Sequence, residues 1–84
     1  MNKLFTDAAW EDYLYWFETD KKQLGKINNL IKEIERMPFE GIGKPEPLKL
    51  NLQGFWSRRI DHEHRIIYKV EDEKISFIAF RYGK

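Results

Sequence analysis

Cysteine is absent from the 84 residues, which excludes a disulfide framework, thiolate nucleophiles and cysteine-ligated metals. Long apolar runs are missing as well. The first is only Leu4-Phe5, and no stretch approaches the roughly 20 apolar residues that a membrane span needs. Neither a membrane partner nor a secretory leader is expected, and a soluble, cytoplasmic protein is. Charge of one sign is scarce, with 15 Lys and Arg against 14 Asp and Glu for a net +1. A generic nucleic-acid coat is thereby disfavoured, although an average over all faces can hide a local patch. Proline is rare and concentrated: all three, with two of the five glycines, fall between Pro38 and Pro47.

Aromatic side chains are plentiful, at three Trp, four Tyr and six Phe. They and the aliphatics must build the core of one small domain spanning residues 1–84, which at this size buries only about 60% of its surface. Asn2 to Phe5 is a short extended candidate. Thr6 is a candidate N-cap with Asp7 in the first turn, where the helix dipole favours an acid. Trp10, Tyr13, Leu14 and Phe17 then fall at i, i+3, i+4 and i+7, predicting one core-facing stripe. Tyr15 and Trp16 lie off that stripe and either widen it or serve a second contact surface. Asp20 can cap a second helix, with Gln23 at the capping-box position. Leu24, Ile27, Leu30, Ile31 and Ile34 carry the period until Pro38 stops it. With almost no loop between them, the two helices form an antiparallel hairpin.

Beyond the proline-rich loop the period changes to two. Leu48-Lys49-Leu50 is predicted as a brief strand, followed by strands at Phe55 to Ile60, Arg65 to Val70 and Lys74 to about Arg81. In the second of these, Trp56, Arg58 and Ile60 face one way while Ser57 and Arg59 face the other. The last, apolar on both faces, belongs in the middle of the sheet. The expected fold class is α+β, ordered β-α-α-β-β-β, with the helical hairpin packed on a largely antiparallel twisted sheet.

Positive charge gathers in this half: six Lys and Arg (44, 49, 58, 59, 65, 69) stand against three acids (46, 61, 63) between residues 44 and 69. If Ile66, Tyr68 and Val70 pack on the helices, Arg65 projects from the other face, with Arg59 beside it and Lys49 one strand back. Glu46, fixed between Pro45 and Pro47, stands at the edge. Guanidinium forks match phosphate oxygens, and a carboxylate can take the proton of a ribose 2′-OH, so the set suits a phosphodiester. Neither a metal nor any other cofactor is expected, since Glu46, Asp61, His62 and His64 have no recognised ligand spacing. Read singly, each residue has an ordinary alternative: a solvated loop acid, an edge-strand charge pair at Arg58-Arg59, a turn histidine at His64, core aromatics at Phe55 and Trp56.

Several strings carry a resemblance: Glu11-Asp12-Tyr13-Leu14-Tyr15-Trp16, Gly43-Lys44-Pro45-Glu46-Pro47-Leu48-Lys49, Trp56-Ser57-Arg58-Arg59-Ile60, and Glu63-His64-Arg65 followed by Tyr68. At these separations, and over nearly the whole chain, the sequence resembles the YoeB-type toxins of the RelE/ParE superfamily of bacterial toxin-antitoxin modules. That likeness implies a RelE-like fold and a ribosome-dependent mRNA endoribonuclease working in the A site of the 70S ribosome. Glu46 would be the general base, Arg65 and Arg59 would stabilise the transition-state phosphate, and the product would be a 2′,3′-cyclic phosphate. Lys49, Lys44, Arg58, His64, Arg81 and Tyr82 are the substrate-binding residues expected on the same basis. The implied partners are a YefM/Phd-type antitoxin, a second copy in a homodimer, and operator DNA only through the antitoxin.

One departure stands out. The family pattern closes with His-Tyr after Arg81-Tyr82, where this chain has Gly83-Lys84. That histidine is the expected general acid, a role worth a factor of about 10² to 10⁴. The resemblance therefore implies a weakened or inactive form of an otherwise intact site, with a non-catalytic interaction protein as the second class: an antitoxin-binding co-repressor, or a poison of another target.

Overall fold

The computed structural model describes residues 1–83, ordered β1 (Asn2–Phe5), α1 (Asp7–Thr19), α2 (Lys21–Arg36), β2 (Glu46–Pro47), β3 (Trp56–Arg59), β4 (His64–Glu71) and β5 (Lys74–Gly83). The strands form one sheet in the order β1-β5-β4-β3-β2. β1 runs parallel to β5 and every other pairing is antiparallel, so the sheet is mixed. The α+β class and the interior position of the last strand hold.

Both helix starts follow from capping. The Thr6 hydroxyl accepts from the Ala9 N–H at 3.1 Å. Asp20 does two jobs at once. Its N–H donates to Trp16 O at 2.8 Å, closing α1, and its carboxylate accepts from the Gln23 N–H at 3.1 Å, opening α2. A single residue therefore joins the helices. Gln23 does not complete a capping box, because its side-chain amide donates to Asp61 at 2.7 Å instead.

The predicted stripe of α2 is the observed one, with Ile27, Leu30, Ile31 and Ile34 buried. On α1 the face is rotated. Ala9 and Trp16 are the buried residues, whereas Trp10, Leu14, Tyr15 and Phe17 are exposed. Ala9 permits close approach to the sheet, and the Trp16 indole N–H reaches Phe80 O at 2.9 Å.

Leu48-Lys49-Leu50 is not a strand. Pairing with β3 begins earlier, at Glu46 and Pro47, and ends with the Leu48 N–H donating to Phe55 O at 2.9 Å. Leu50 has a φ of 59° and opens a 3-10 turn, Leu50–Leu52, which takes the chain out of the sheet. Alternation in β5 also breaks. Two register shifts against β4, between Arg65 and Ile67 and between Ile67 and Tyr68, put Phe80 in the core with Ile75 and Phe77 and leave Ala79 paired with Ile67. At the outer irregularity the Phe80 and Arg81 N–H groups both donate to the Asp12 carboxylate, at 2.9 and 3.2 Å. An extra strand residue frees backbone donors from the ladder, and α1 satisfies them.

Replacing Asp12 with Ala removes a charged acceptor from two N–H groups. The expected loss of stability is about 1–3 kcal/mol, measured by urea unfolding, with Asp12→Asn retaining part of it.

Candidate active site

Ile66 and Tyr68 of β4 lie in the core under the helices, so Arg65, Ile67 and Lys69 take the opposite face. Register then assembles a site on that face. Arg59 of β3 is the partner of Arg65, and Arg65 is the partner of Tyr82 on β5. One row further along, Glu46 is opposite Ser57, Ser57 opposite Ile67, and Ile67 opposite Ala79. Paired side chains start about 5 Å apart and same-face rows are separated by about 7 Å. Glu46 thus stands diagonally across from Arg59, with Arg65 about 12 Å away between Cα positions. The floor between them is closed, since Ser57 and Ile67 are each only 2% accessible. The longer side chains of Glu46, Arg59, Arg65 and Tyr82 stand around this covered floor.

Its charge is unbalanced. Among the described residues neither Arg59 nor Arg65 has a carboxylate within ion-pair distance. Like charges directly opposite each other on a sheet are destabilising. Two facing guanidinium groups with an acid one row away can hold an anion and place a base beside it.

The loop that delivers Glu46 is stapled at both ends. Gly43 accepts the Arg59 N–H at 2.7 Å. It has a φ of +83°, and a Cβ there would lie 3.1 Å from Arg59 O and 3.2 Å from Leu30 Cδ2. Only glycine gives both the conformation and the approach. Lys44 follows, exposed and flanking Arg59, with a φ of 50°.

Arg58 corrects the expectation for it. It is fully buried, and its guanidinium donates to Met37 O, to Glu40 O at 2.8 Å and to Ile42 O at 3.0 Å, with Nε 3.4 Å from the Tyr68 hydroxyl. Substrate cannot reach it. It binds the C-terminal end of α2, where the helix dipole favours a cation. Tyr68, whose phenol is pushed up by burial against the lowering effect of Arg58, stays protonated and donates to Pro38 O at 2.7 Å.

His64 and Arg81 also leave the set. His64 packs edge-on against Trp16 at 5.0 Å, on the helix side, with Nδ1 3.4 Å from Asp61. Arg81 lies over the Tyr15 ring at 3.6 Å, against α1. Lys49 is exposed at the start of the 3-10 turn rather than on a strand beside Arg59. Register brings together Glu46, Arg59, Arg65 and Tyr82, with Lys44 beside them. Lys84 lies outside the described residues. Asp12, which fixes the bulge setting Tyr82 beside Arg65, lies within one of the strings that carry the resemblance, but nothing local in the sequence reveals its contact with β5.

A family profile described as "YoeB-like toxin of bacterial type II toxin-antitoxin system" matches residues 5–83. Toxin YoeB of Escherichia coli K12 is 57% identical over 82 residues, covering 98% of both chains. Among solved structures, the YoeB/ParE toxin from Agrobacterium tumefaciens superposes with a TM-score of 0.96 at 43% identity, over 100% of both chains. The YoeB dimer from Staphylococcus aureus gives 0.93 at 49% identity, covering 100% of this chain and 98% of that one. The heterotetrameric YoeB-YefM complex of that organism gives 0.91 at 49% identity, with the same coverage.

Two measurements check the scaffold of the site. Arg58→Met leaves the loop carbonyls without donors and should cost roughly 3 kcal/mol or more in chemical denaturation, Arg58→Lys less. Asp61 is the second case. Burial alone would raise its pKa, but the His64 and Glu63 N–H groups, the Gln23 amide and the His64 ring outweigh it and hold the carboxyl well below its ordinary value. A folded-state pKa below the unfolded one means stability present above the unfolded value of about 3.9 and lost as pH falls towards the folded value. Asp61→Asn should therefore flatten the acid limb of a stability profile between about pH 4 and pH 2.

Proposed function

The chain belongs to the YoeB-like toxins of bacterial type II toxin-antitoxin systems, and from that premise we propose that it is a ribosome-dependent mRNA endoribonuclease whose site is the hollow bounded by Glu46, Arg59, Arg65 and Tyr82. The observation that carries this reading is the unpaired arginine row with one acid held a row away. Glu46 takes the 2′-OH proton, the 2′-oxygen attacks the adjacent phosphorus, and Arg59 and Arg65 hold the non-bridging oxygens as their charge grows. The 5′-oxygen leaves, and the upstream fragment ends in a 2′,3′-cyclic phosphate. Tyr82 and Lys44 bind the backbone on either side of the row. Lys49, off the strand, contacts RNA farther along.

The leaving 5′-oxygen needs a proton, and position 83 offers no side chain to give it. A Cβ at Gly83 would lie 3.1 Å from Glu63 O and 3.8 Å from His64 Cδ2. A histidine there requires the Glu63 turn to yield by a few tenths of an ångström. We therefore propose a slow form of the enzyme, with binding intact and leaving-group departure unassisted.

As to partners, the S. aureus relatives are a dimer and a YoeB-YefM heterotetramer by description. We extend both to this chain: a YefM-type antitoxin, and self-association that covers part of the exposed α1 face of Trp10, Leu14 and Phe17.

The test is cleavage of a defined message in a reconstituted translation system, read by primer extension. Glu46→Ala and Arg65→Ala should each lower the single-turnover rate at least about 10²-fold while leaving the fold intact. Gly83→His with Lys84→Tyr should raise it by about 10² to 10⁴. Unchanged cutting in both alanine variants refutes the nuclease. No cutting even by the His-Tyr variant favours an interaction protein without catalysis.

A further inference from the structure

The hollow is not the only concavity that residue 59 borders. A second, of about 310 Å³, opens at the sheet edge between α2, the loop at Ile42-Gly43 and the end of β3. Lys26 and Asn29, one helical step apart on α2, stand on one side of it. Both are exposed, and among the described residues neither side chain has an ion-pair or hydrogen-bond partner. The floor is apolar and dry, built from Leu30 and Ile60, at 5% and 7% exposure. Ile42 forms the lip with 56% of its surface uncovered, and the bare Gly43 backbone keeps the space beside Leu30 open.

We infer that this pocket binds one nucleotide of an RNA strand, next to the one whose phosphate occupies the arginine row. The chemistry of the lining fits each part. A flat apolar base covers Ile42 and rests on Leu30 and Ile60. The Asn29 carboxamide presents a donor and an acceptor together, the pairing that a base edge reads. The Lys26 ammonium meets a backbone phosphate as a point charge. Position follows from the strand end: Arg59 closes one wall of the pocket, and the same residue pairs with Arg65 on the opposite face. RNA crossing the sheet edge past Lys44 meets both. An acidic peptide would satisfy Lys26 as well, but continuity with the arginine row favours the nucleotide.

The assignment deepens the nuclease reading and rests on it for its choice of ligand, so the experiment reads the two places separately. A single-stranded RNA trinucleotide with a 2′-deoxy sugar at the cut site, which cannot be cleaved, is titrated into the full chain by NMR. The Leu30, Ile42 and Ile60 methyls and the Asn29 side-chain amide report on the pocket, and the Arg65 Nε–H and Tyr82 ring signals report on the hollow, Arg59 bordering both. Response at both supports both. Response at Arg65 and Tyr82 alone overturns the pocket and leaves the nuclease standing; response at the pocket alone supports the pocket, and the nuclease reading is then judged by the cleavage assay. Silence at both overturns the pocket.

Two variants sharpen the result. Lys26→Ala should weaken binding and reduce the slope of log affinity against log salt by about 0.7, the value for one phosphate contact on a single strand. Asn29→Leu should change the ranking of the four bases at that nucleotide without changing the slope. Wild-type behaviour in both variants overturns the assignment. So does a peptide of alternating Glu and Leu that shifts the pocket methyls at lower concentration than the RNA.

Discussion

The candidate site depends on a buried cation that never touches it. Arg58 joins the end of α2, the loop that follows it and β3 through one guanidinium, with carbonyl oxygens rather than a carboxylate as partners. Without it, the backbone of residues 37–42 would carry carbonyls facing a region sealed from water, at a cost of about 1–3 kcal/mol each. With it, the loop is tied to β3, and the positions of Gly43, Lys44 and Glu46 follow from that. Arg58 and Arg59 are neighbours in sequence and alternate in space. One organises the loop from beneath the sheet while the other faces the hollow that the loop completes.

The other half of the hollow is set from the opposite side of the molecule. Asp12 on α1 takes the two N–H groups that the β5 irregularity releases, and Arg81 lies on Tyr15 of the same helix. Consecutive residues thus part company, with Arg81 held under the sheet and Tyr82 above it beside Arg65. Each wall of the site is fixed by a charged residue on the helix side. The sheet between them transmits position through its register, which cannot slip by one residue without exchanging its two faces.

Much of this was readable and some was not. The caps at Thr6 and Asp20, the α2 stripe, and the shared face of Arg59 and Arg65 with Glu46 at its edge follow from local chemistry and from period two, whereas Lys49, expected on that face, stands at the start of the 3-10 turn. On α1 the expectation holds for Tyr13, which packs on the core, and for Trp16 as a widening of the stripe, but not for Trp10, Leu14 and Phe17, because the inward side also carries Ala9 and Asp12, a small residue and an acid, while the outward side is the more apolar. A hydrophobic count points the wrong way there. For Arg58, alternation alone already put it with Trp56 and Ile60, on the side of the core. Counting it among clustered positive charges obscured that. The β5 bulge could not be read locally, because its acceptor lies 68 residues earlier in the chain.

Binding and chemistry are separable in a site of this kind. On the proposed nuclease reading the arginine row would recognise a phosphodiester through charge and hydrogen-bond geometry, interactions that exist before any proton moves. On that reading Glu46 would act on the attacking oxygen, whereas a general acid acts only on the departing one. In the proposed reaction Gly83 would remove a contribution confined to the last part of the reaction coordinate, leaving ground-state affinity to the side chains that remain. A chain that binds RNA in this proposed way would occupy the site almost as well as one with an acid at position 83, and differ chiefly in how long the bound strand survives. Inhibition by occupancy and inhibition by cleavage then become two regimes of one site, divided by the lifetime of the complex relative to the unassisted chemical step.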